Sequence, residues 1–190
     1  MIKRTRWAVL LGLVSLVAAC GGGGDGGGDT VVTGPSSGIS ASFVAERPAP
    51  GAGTVSMVQY TAVGDVVTVN LRVTDTNGIY GAAFDVVYDP SRVRYEDWAS
   101  GVLLEQGGHS PNYTVQVPQA GRVVVGASRN GAVSGVNAVG SRVMIRLVFR
   151  ATAVGSSQIS FQAASLIDDQ FPPEDITGTS WFGGSLNAIR

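Results

Sequence analysis

From Ile39 to the C-terminus, apolar and polar residues alternate with a period of two. One run places Val67, Val69, Leu71 and Val73 on a single face of an extended segment. No long helical stripe interrupts this part of the sequence, and turn-forming residues separate the short runs. Because alternating strands without helices close only as a barrel or pack as two sheets, we predict an all-β, two-sheet sandwich of about nine strands. The clearest candidate strands lie at 55–60, 66–73, 84–88, 113–117, 122–128, 143–150, 158–163 and 185–189.

The N-terminus has the pattern of an export signal. Three positive residues within the first six precede the apolar run from Trp7 to Ala19. This run is too short for a membrane-spanning helix, which needs roughly 20 apolar residues. The residues Val17 to Cys20 (VAAC) resemble the lipobox of bacterial lipoproteins. We therefore predict a lipoprotein signal peptide at 1–19 and lipid attachment, with palmitate-type acyl chains, at Cys20. A stray cysteine in an ordinary signal peptide is the alternative.

A low-complexity tract, GGGGDGGGDTVVTGPSSG, follows the cysteine. Glycine-rich chains of this kind behave as flexible linkers, so residues 20–38 are predicted to tether a single domain at 39–190. Gly21 stands where inner-membrane retention in Gram-negative bacteria favours Asp. The predicted location is therefore the bacterial envelope, on the outer membrane or cell surface.

Composition excludes several classes of function. The chain has one Cys and one His, which excludes a disulfide scaffold, a Cys-based zinc site and a two-His metal centre. Its formal charge is −1, and its basic residues do not cluster outside the N-terminus, so a nucleic acid is not an expected partner. We predict no cofactor and no enzymatic activity. Two adjacent acidic pairs, Asp168-Asp169 and Glu174-Asp175, are candidates for a glycosidase-like carboxylate pair or for calcium ligands, although acids in such a Pro-containing loop commonly serve as turn residues.

The segment from Gly78 to Val93 (GIYGAAFDVVYDPSRV) resembles the signature of the cohesin family, in which a G-I-x-G-x-x-F strand runs into Y-D-P. The resemblance covers residues 54–189, because Gly64-Asp65, the strand 122–128 and the closing FGGSL match other cohesin motifs in order. It implies a nine-stranded jelly roll that binds dockerins. These are small calcium-loaded helical modules usually attached to polysaccharide-degrading enzymes.

The resemblance also implies where a partner would bind. In classical cohesins the partner lies on one sheet face, and polar residues just before the Y-D-P strand make its main hydrogen bonds. The matching positions are Gly81 and Ala83, where family members of well-known specificity carry Asn and Asp. Asp85 is expected on the same outward face, and a second matching region falls at Arg129 and Asn130.

Three functions remain open from the sequence. The first is a lipid-anchored, non-catalytic cohesin-like module that docks a protein, such as a dockerin-bearing enzyme. The second is a carbohydrate-binding module that uses Trp98 or Trp181 to stack on a polysaccharide. The third is a structural lipoprotein of an envelope or secretion machine.

Overall fold

A computed structural model describes residues 38–190. The predicted signal peptide, Cys20 and the linker up to residue 37 lie outside the described residues. Residues 38–190 contain eleven strands and no helix, and hence no helix that could cross a membrane. The strands are β1 (Ser40–Ala45), β2 (Thr54–Val63), β3 (Val66–Ile79), β4 (Gly81–Val87), β5 (Val93–Ser100), β6 (Asn112–Gln119), β7 (Arg122–Ser128), β8 (Val136–Ala151), β9 (Gly155–Ile167), β10 (Ser180–Phe182) and β11 (Gly184–Ile189).

The strands form two sheets, which confirms the predicted all-β jelly-roll sandwich. The first sheet has the order β1-β11-β9-β4-β7-β6, and the second has the order β10-β2-β3-β8-β5. Every pairing is antiparallel except that of β10 with β2. The central strand β4 lies between β9 and β7, so its outward side chains occupy the middle of the first sheet.

The core lies between the two sheets. The four apolar residues of the run 67–73 are fully buried, as their alternation predicts. From the facing sheet, Phe84 and Val86 of β4 point into the same interior. The buried apolar residues of the described part all fall between Ile39 and Ala188. Because this segment supplies its own hydrophobic core, we expect residues 38–190 to fold independently.

A bulge in β8 corrects two predicted orientations, because Val143 is expected in the core but is only half-buried and pairs with the outward Arg72. Strict alternation along residues 143–150 puts Met144 on the outer face, but its side chain is fully buried beside Ile145. The pairing of β3 with β8 explains this, because Leu71 pairs with Ile145 and Arg72 pairs with Val143. Met144 is therefore the extra residue of a β-bulge, which turns its side chain inward.

Strand β3 also runs further than predicted. The sequence DTNG at 75–78 has the composition of a turn, yet β3 continues through it to Ile79. Asp75 has a φ of 42°, and the pairing with β8 shifts register on both sides of Thr76. These residues therefore form an irregular, bulged section of strand rather than its end.

The strand count exceeds the predicted nine because three strands have weak sequence patterns. Strand β5 (VRYEDWAS) lies at a sheet edge with many exposed polar residues, and a bulge between Tyr95 and Asp97 breaks its alternation. Strand β10 has only three residues, and β1 is a six-residue edge strand.

Candidate functional site

The outer face of β4 is the predicted partner surface, and the strand alternation settles which residues point outward. Ala82 and Phe84 are each 2% exposed and face the core. Gly81, Ala83 and Asp85 consequently face away from it. Of these three, only Ala83 is exposed. The structure thus brings the three predicted residues onto one face.

Small and uncharged polar residues surround Ala83. Gly126 of β7 pairs with it on one side, and Ser165 of β9 pairs with it on the other. Thr114 of the edge strand β6 pairs with Gly126 and is exposed. Neighbouring outward positions along β9 and β6 carry Gln162, Asn112 and Gln116. The side chains at the centre of this face are therefore short, so a partner can approach the sheet closely.

The backbone packing at Gly81 explains why this position has no side chain. A Cβ atom there would lie 2.5 Å from the carbonyl oxygen of Ala127 and 3.3 Å from the Cα of Ser128. Strand β7 thus occupies the space that an asparagine would need. A side chain at this position would therefore require β4 and β7 to move apart.

Asp85 is placed outward as predicted, but it is 6% exposed rather than open to solvent. Arg122 covers it: the Nε and Nη2 of Arg122 both donate to Oδ2 of Asp85, at 2.9 Å and 2.5 Å. Because that oxygen is already engaged, Asp85 holds Arg122 against the sheet instead of offering a free carboxylate. The partially exposed Arg122, which sequence reasoning missed, is the charged group that this pair presents to a partner.

Arg129 is a correction to the predicted surface, whereas Asn130 is exposed as expected. Arg129 is only 5% exposed, and its Nη1 donates to the carbonyl oxygens of Leu104 and Gln106, both at 2.9 Å. The strand β7 ends at Ser128, so alternation no longer fixes the direction of the next side chain. Arg129 turns inward because a distant loop supplies carbonyl acceptors.

The four acidic residues near 170 do not form a metal site. Asp168 Oδ1 accepts from the backbone N–H groups of Gln170 and Glu174, at 3.1 Å and 2.9 Å. Asp169 Oδ2 accepts from the N–H of Gly135 at 2.8 Å. Within residues 38–190, no group of three or more His, Cys, Asp or Glu side chains is arranged to hold a metal ion. The calcium prediction is therefore not supported, and two of these carboxylates order the loop instead.

The same loop exposes an aromatic residue that sequence reasoning missed. Phe171 is 100% exposed, next to a cavity of about 420 Å³ lined by Tyr80, Val133 and Pro173. The loop follows β9, whose last residue Ile167 pairs with Gly81, so it adjoins the candidate face. A lone apolar residue within the acidic sequence DDQFPPED is the signal that could have identified it.

Both candidate tryptophans pack against other aromatic rings. Trp181 packs against Phe84 and Phe161, with ring centroids 5.5 Å and 5.0 Å away. Trp98 packs against Tyr113 at 5.1 Å, tilted by 42°. Burial raises the pKa of Tyr113 to about 12, and its hydroxyl donates to the Met144 carbonyl oxygen at 2.8 Å. These rings are engaged in packing at the margins of the core.

Comparisons with known proteins agree with this architecture. The family model described as the cohesin domain matches residues 53–179. No curated protein matches the chain. Among solved structures, the sixth cohesin of scaffoldin B from Acetivibrio cellulolyticus, in complex with a Cel5 dockerin mutant, is 19% identical with a TM-score of 0.53. That alignment covers 75% of this chain and 96% of the other.

A second similar structure is CaCohA2 from Clostridium acetobutylicum, solved in solution. It is 16% identical, with a TM-score of 0.53, over 69% of this chain and 87% of the other. At such identities the structures establish a shared fold alone, whereas the family model spans most of the described domain. The chain therefore belongs to the cohesin family.

Proposed function

We propose that this chain is a non-catalytic docking module that binds a dockerin-like protein on the outer face of its six-stranded sheet. The observation that carries this proposal is the group of short side chains around the exposed Ala83, on the outer face formed by strands β9, β4, β7 and β6. The similar A. cellulolyticus cohesin is solved in complex with a dockerin, which supports the same class of partner here.

The chemistry of the face favours contact through shape. Gly81 and Ala83 provide no side-chain hydrogen bonds, and Asp85 is already bound to Arg122. Affinity on such a surface comes from close packing against small residues, supplemented by a few polar groups at the rim. We therefore propose a partner that differs from dockerins that rely on polar contacts at these two positions.

We also propose that the module is held on the bacterial envelope through lipid on Cys20, with residues 21–38 as the tether. The support is the signal-peptide pattern together with the lipobox-like VAAC sequence. Anchoring of this kind is durable when two or more acyl chains are attached. A tethered docking module of this type would retain its partner at the cell surface.

The function is tested by capture of partners on immobilised residues 38–190 from a lysate of the source organism, with and without a calcium chelator. We expect chelator-sensitive recovery of a protein that carries paired calcium-loop repeats, identified by mass spectrometry. Recovery of envelope proteins alone, or retention of polysaccharide without such a protein, would contradict the proposal.

A further inference from the structure

Arg129 is a buried charge without an acidic partner in the described domain. It is 5% exposed, whereas the ion pairs within residues 38–190 involve only Arg92, Arg94, Arg122 and Arg150. Two carbonyl oxygens accept from its Nη1, but its buried Nε has no hydrogen-bond partner. A buried guanidinium with neutral acceptors alone is left with an incompletely compensated charge.

The side chain lines a cavity of about 590 Å³ that carries no carboxylate. His109, Gln106, Ser134 and Asn137 contribute polar groups to the same lining, and no Asp or Glu of residues 38–190 does. Glu105, the acid nearest in sequence, accepts a hydrogen bond from Ser100 and lines a neighbouring cavity.

Arg129 and His109 line this cavity together, and both side chains lie close to Gly107. A Cβ atom on Gly107 would lie 3.3 Å from His109 Cδ2, 3.7 Å from His109 Nε2 and 3.9 Å from Arg129 Nη2, so nitrogen atoms of both side chains lie near the same glycine. A guanidinium at a cavity wall suits a carboxylate, since it donates to that group through parallel N–H groups.

We propose that the cavity beside Arg129 and His109 is a carboxylate-binding site. The carboxylate would lie near Gly107, accept from Nη2 of Arg129 and contact the imidazole of His109. It would come either from an acidic side chain of a protein or from an acidic sugar. The cavity adjoins the end of the candidate face, because Arg129 directly follows Ser128, which pairs with both Gly81 and Asn112. The site itself is independent of the proposed docking function.

The single histidine of the chain provides a direct readout. Residues 38–190, made without a histidine tag, are titrated with sodium acetate at pH 7 while the His109 ring-proton signal is followed by NMR. Sodium chloride replaces acetate at each point to hold the ionic strength constant. We expect a saturable shift with acetate and none with chloride alone. The absence of a shift, a shift that grows linearly with acetate, or one that chloride reproduces would overturn the proposal.

Variants separate the site from general charge effects. Arg129→Gln is expected to raise the half-saturating acetate concentration at least tenfold, whereas Arg142→Gln, at an exposed arginine outside the lining, is expected to leave it unchanged. Because Arg129 also holds a loop, a second variant leaves it in place. Ser134→Asp puts a carboxylate on the cavity wall and should weaken acetate binding at least fivefold, whereas Ser134→Asn should not. Equal acetate binding by both Ser134 variants and by Arg129→Gln would also overturn the proposal.

The source of the carboxylate is distinguished with two larger probes. Galacturonate, with galactose as its uncharged match, represents an acidic sugar, and N-acetylglutamate amide represents an acidic side chain. A lower half-saturating concentration for one of them than for acetate would support the site and identify its source. Equal values for all three would support recognition of the carboxylate group alone.

Discussion

The close approach of β4 and β7 at Gly81 gives the sharpest prediction about the candidate face. Gly81→Asn introduces the side chain that the cohesin resemblance implies for this position, but its Cβ would lie 2.5 Å from the Ala127 carbonyl oxygen. An ordinary contact begins at 3.4 Å, so the two strands must separate by about 0.9 Å at this pair. Forced overpacking of this size costs about 1–3 kcal/mol.

A loss of that size lowers the melting temperature of a domain this long by about 2 to 12 °C. Thermal unfolding of residues 38–190, followed by circular dichroism, measures it. The matched control is Ala83→Asn, on the same face of the same strand, where the side chain is exposed and the change should stay within about 0.5 kcal/mol. If Gly81→Asn and Ala83→Asn have the same melting temperature, the packing argument for Gly81 is wrong.

Three further predictions concern the core, alkaline pH and the anchor. Phe84→Ala removes a buried ring that packs on two aromatic neighbours, and it should lower the free energy of unfolding in urea by about 3–5 kcal/mol. Val139→Ala, at a 70% exposed residue, should leave that free energy almost unchanged. Equal losses for the two variants would contradict the core assignment. Burial raises the pKa values of Tyr95 and Tyr113 to about 12, with the charge of Asp97 adding to the effect at Tyr95. Since an unfolded tyrosine ionises near pH 10, the free energy of unfolding should fall as the pH rises from 10 to 12. Tyr113→Phe should reduce this loss of stability. Equal free energies of unfolding in urea at pH 9 and pH 11 would refute the prediction. Cys20→Ser should abolish incorporation of radiolabelled palmitate and release the protein from the membrane fraction, and undiminished labelling would exclude Cys20 as the attachment site.

The alternation of residues was enough to predict the class of fold. Runs such as 67–73 and 122–128 face a core on one side only, and this local property is visible without knowledge of the neighbouring strands. Bulges are different, because they depend on which strand pairs with which. Met144 turns inward through the register between β3 and β8, and the pairs on either side of it, Leu71 with Ile145 and Arg72 with Val143, lie more than 70 positions apart in sequence.

The candidate site was predictable to a similar extent. The resemblance to the cohesin Y-D-P motif singled out Gly81 and Ala83, and the strand alternation placed them on one face with Asp85. The burial of Asp85 depends on Arg122, which reaches it from a strand 37 residues away. The inward turn of Arg129 depends on carbonyl groups 23 and 25 residues earlier in the chain. Side-chain partners of this kind follow from the assembled sheets rather than from any local pattern.

The docking role of the face around Ala83 is tested most directly by two matched substitutions. Ala83→Arg places a long charged side chain in the middle of the six-stranded sheet, whereas Ala99→Arg makes the same change at an exposed alanine of β5, in the other sheet. Both variants should keep the melting temperature of the unmodified domain.

The measurement is the Kd of each variant for the calcium-dependent partner recovered from the lysate, by calorimetry. We predict that Ala83→Arg weakens binding at least a hundredfold, because it removes the close approach at the centre of the interface, and that Ala99→Arg leaves the affinity unchanged. Unchanged affinity for Ala83→Arg, or equal losses for both variants, would contradict the assignment of this face as the docking surface.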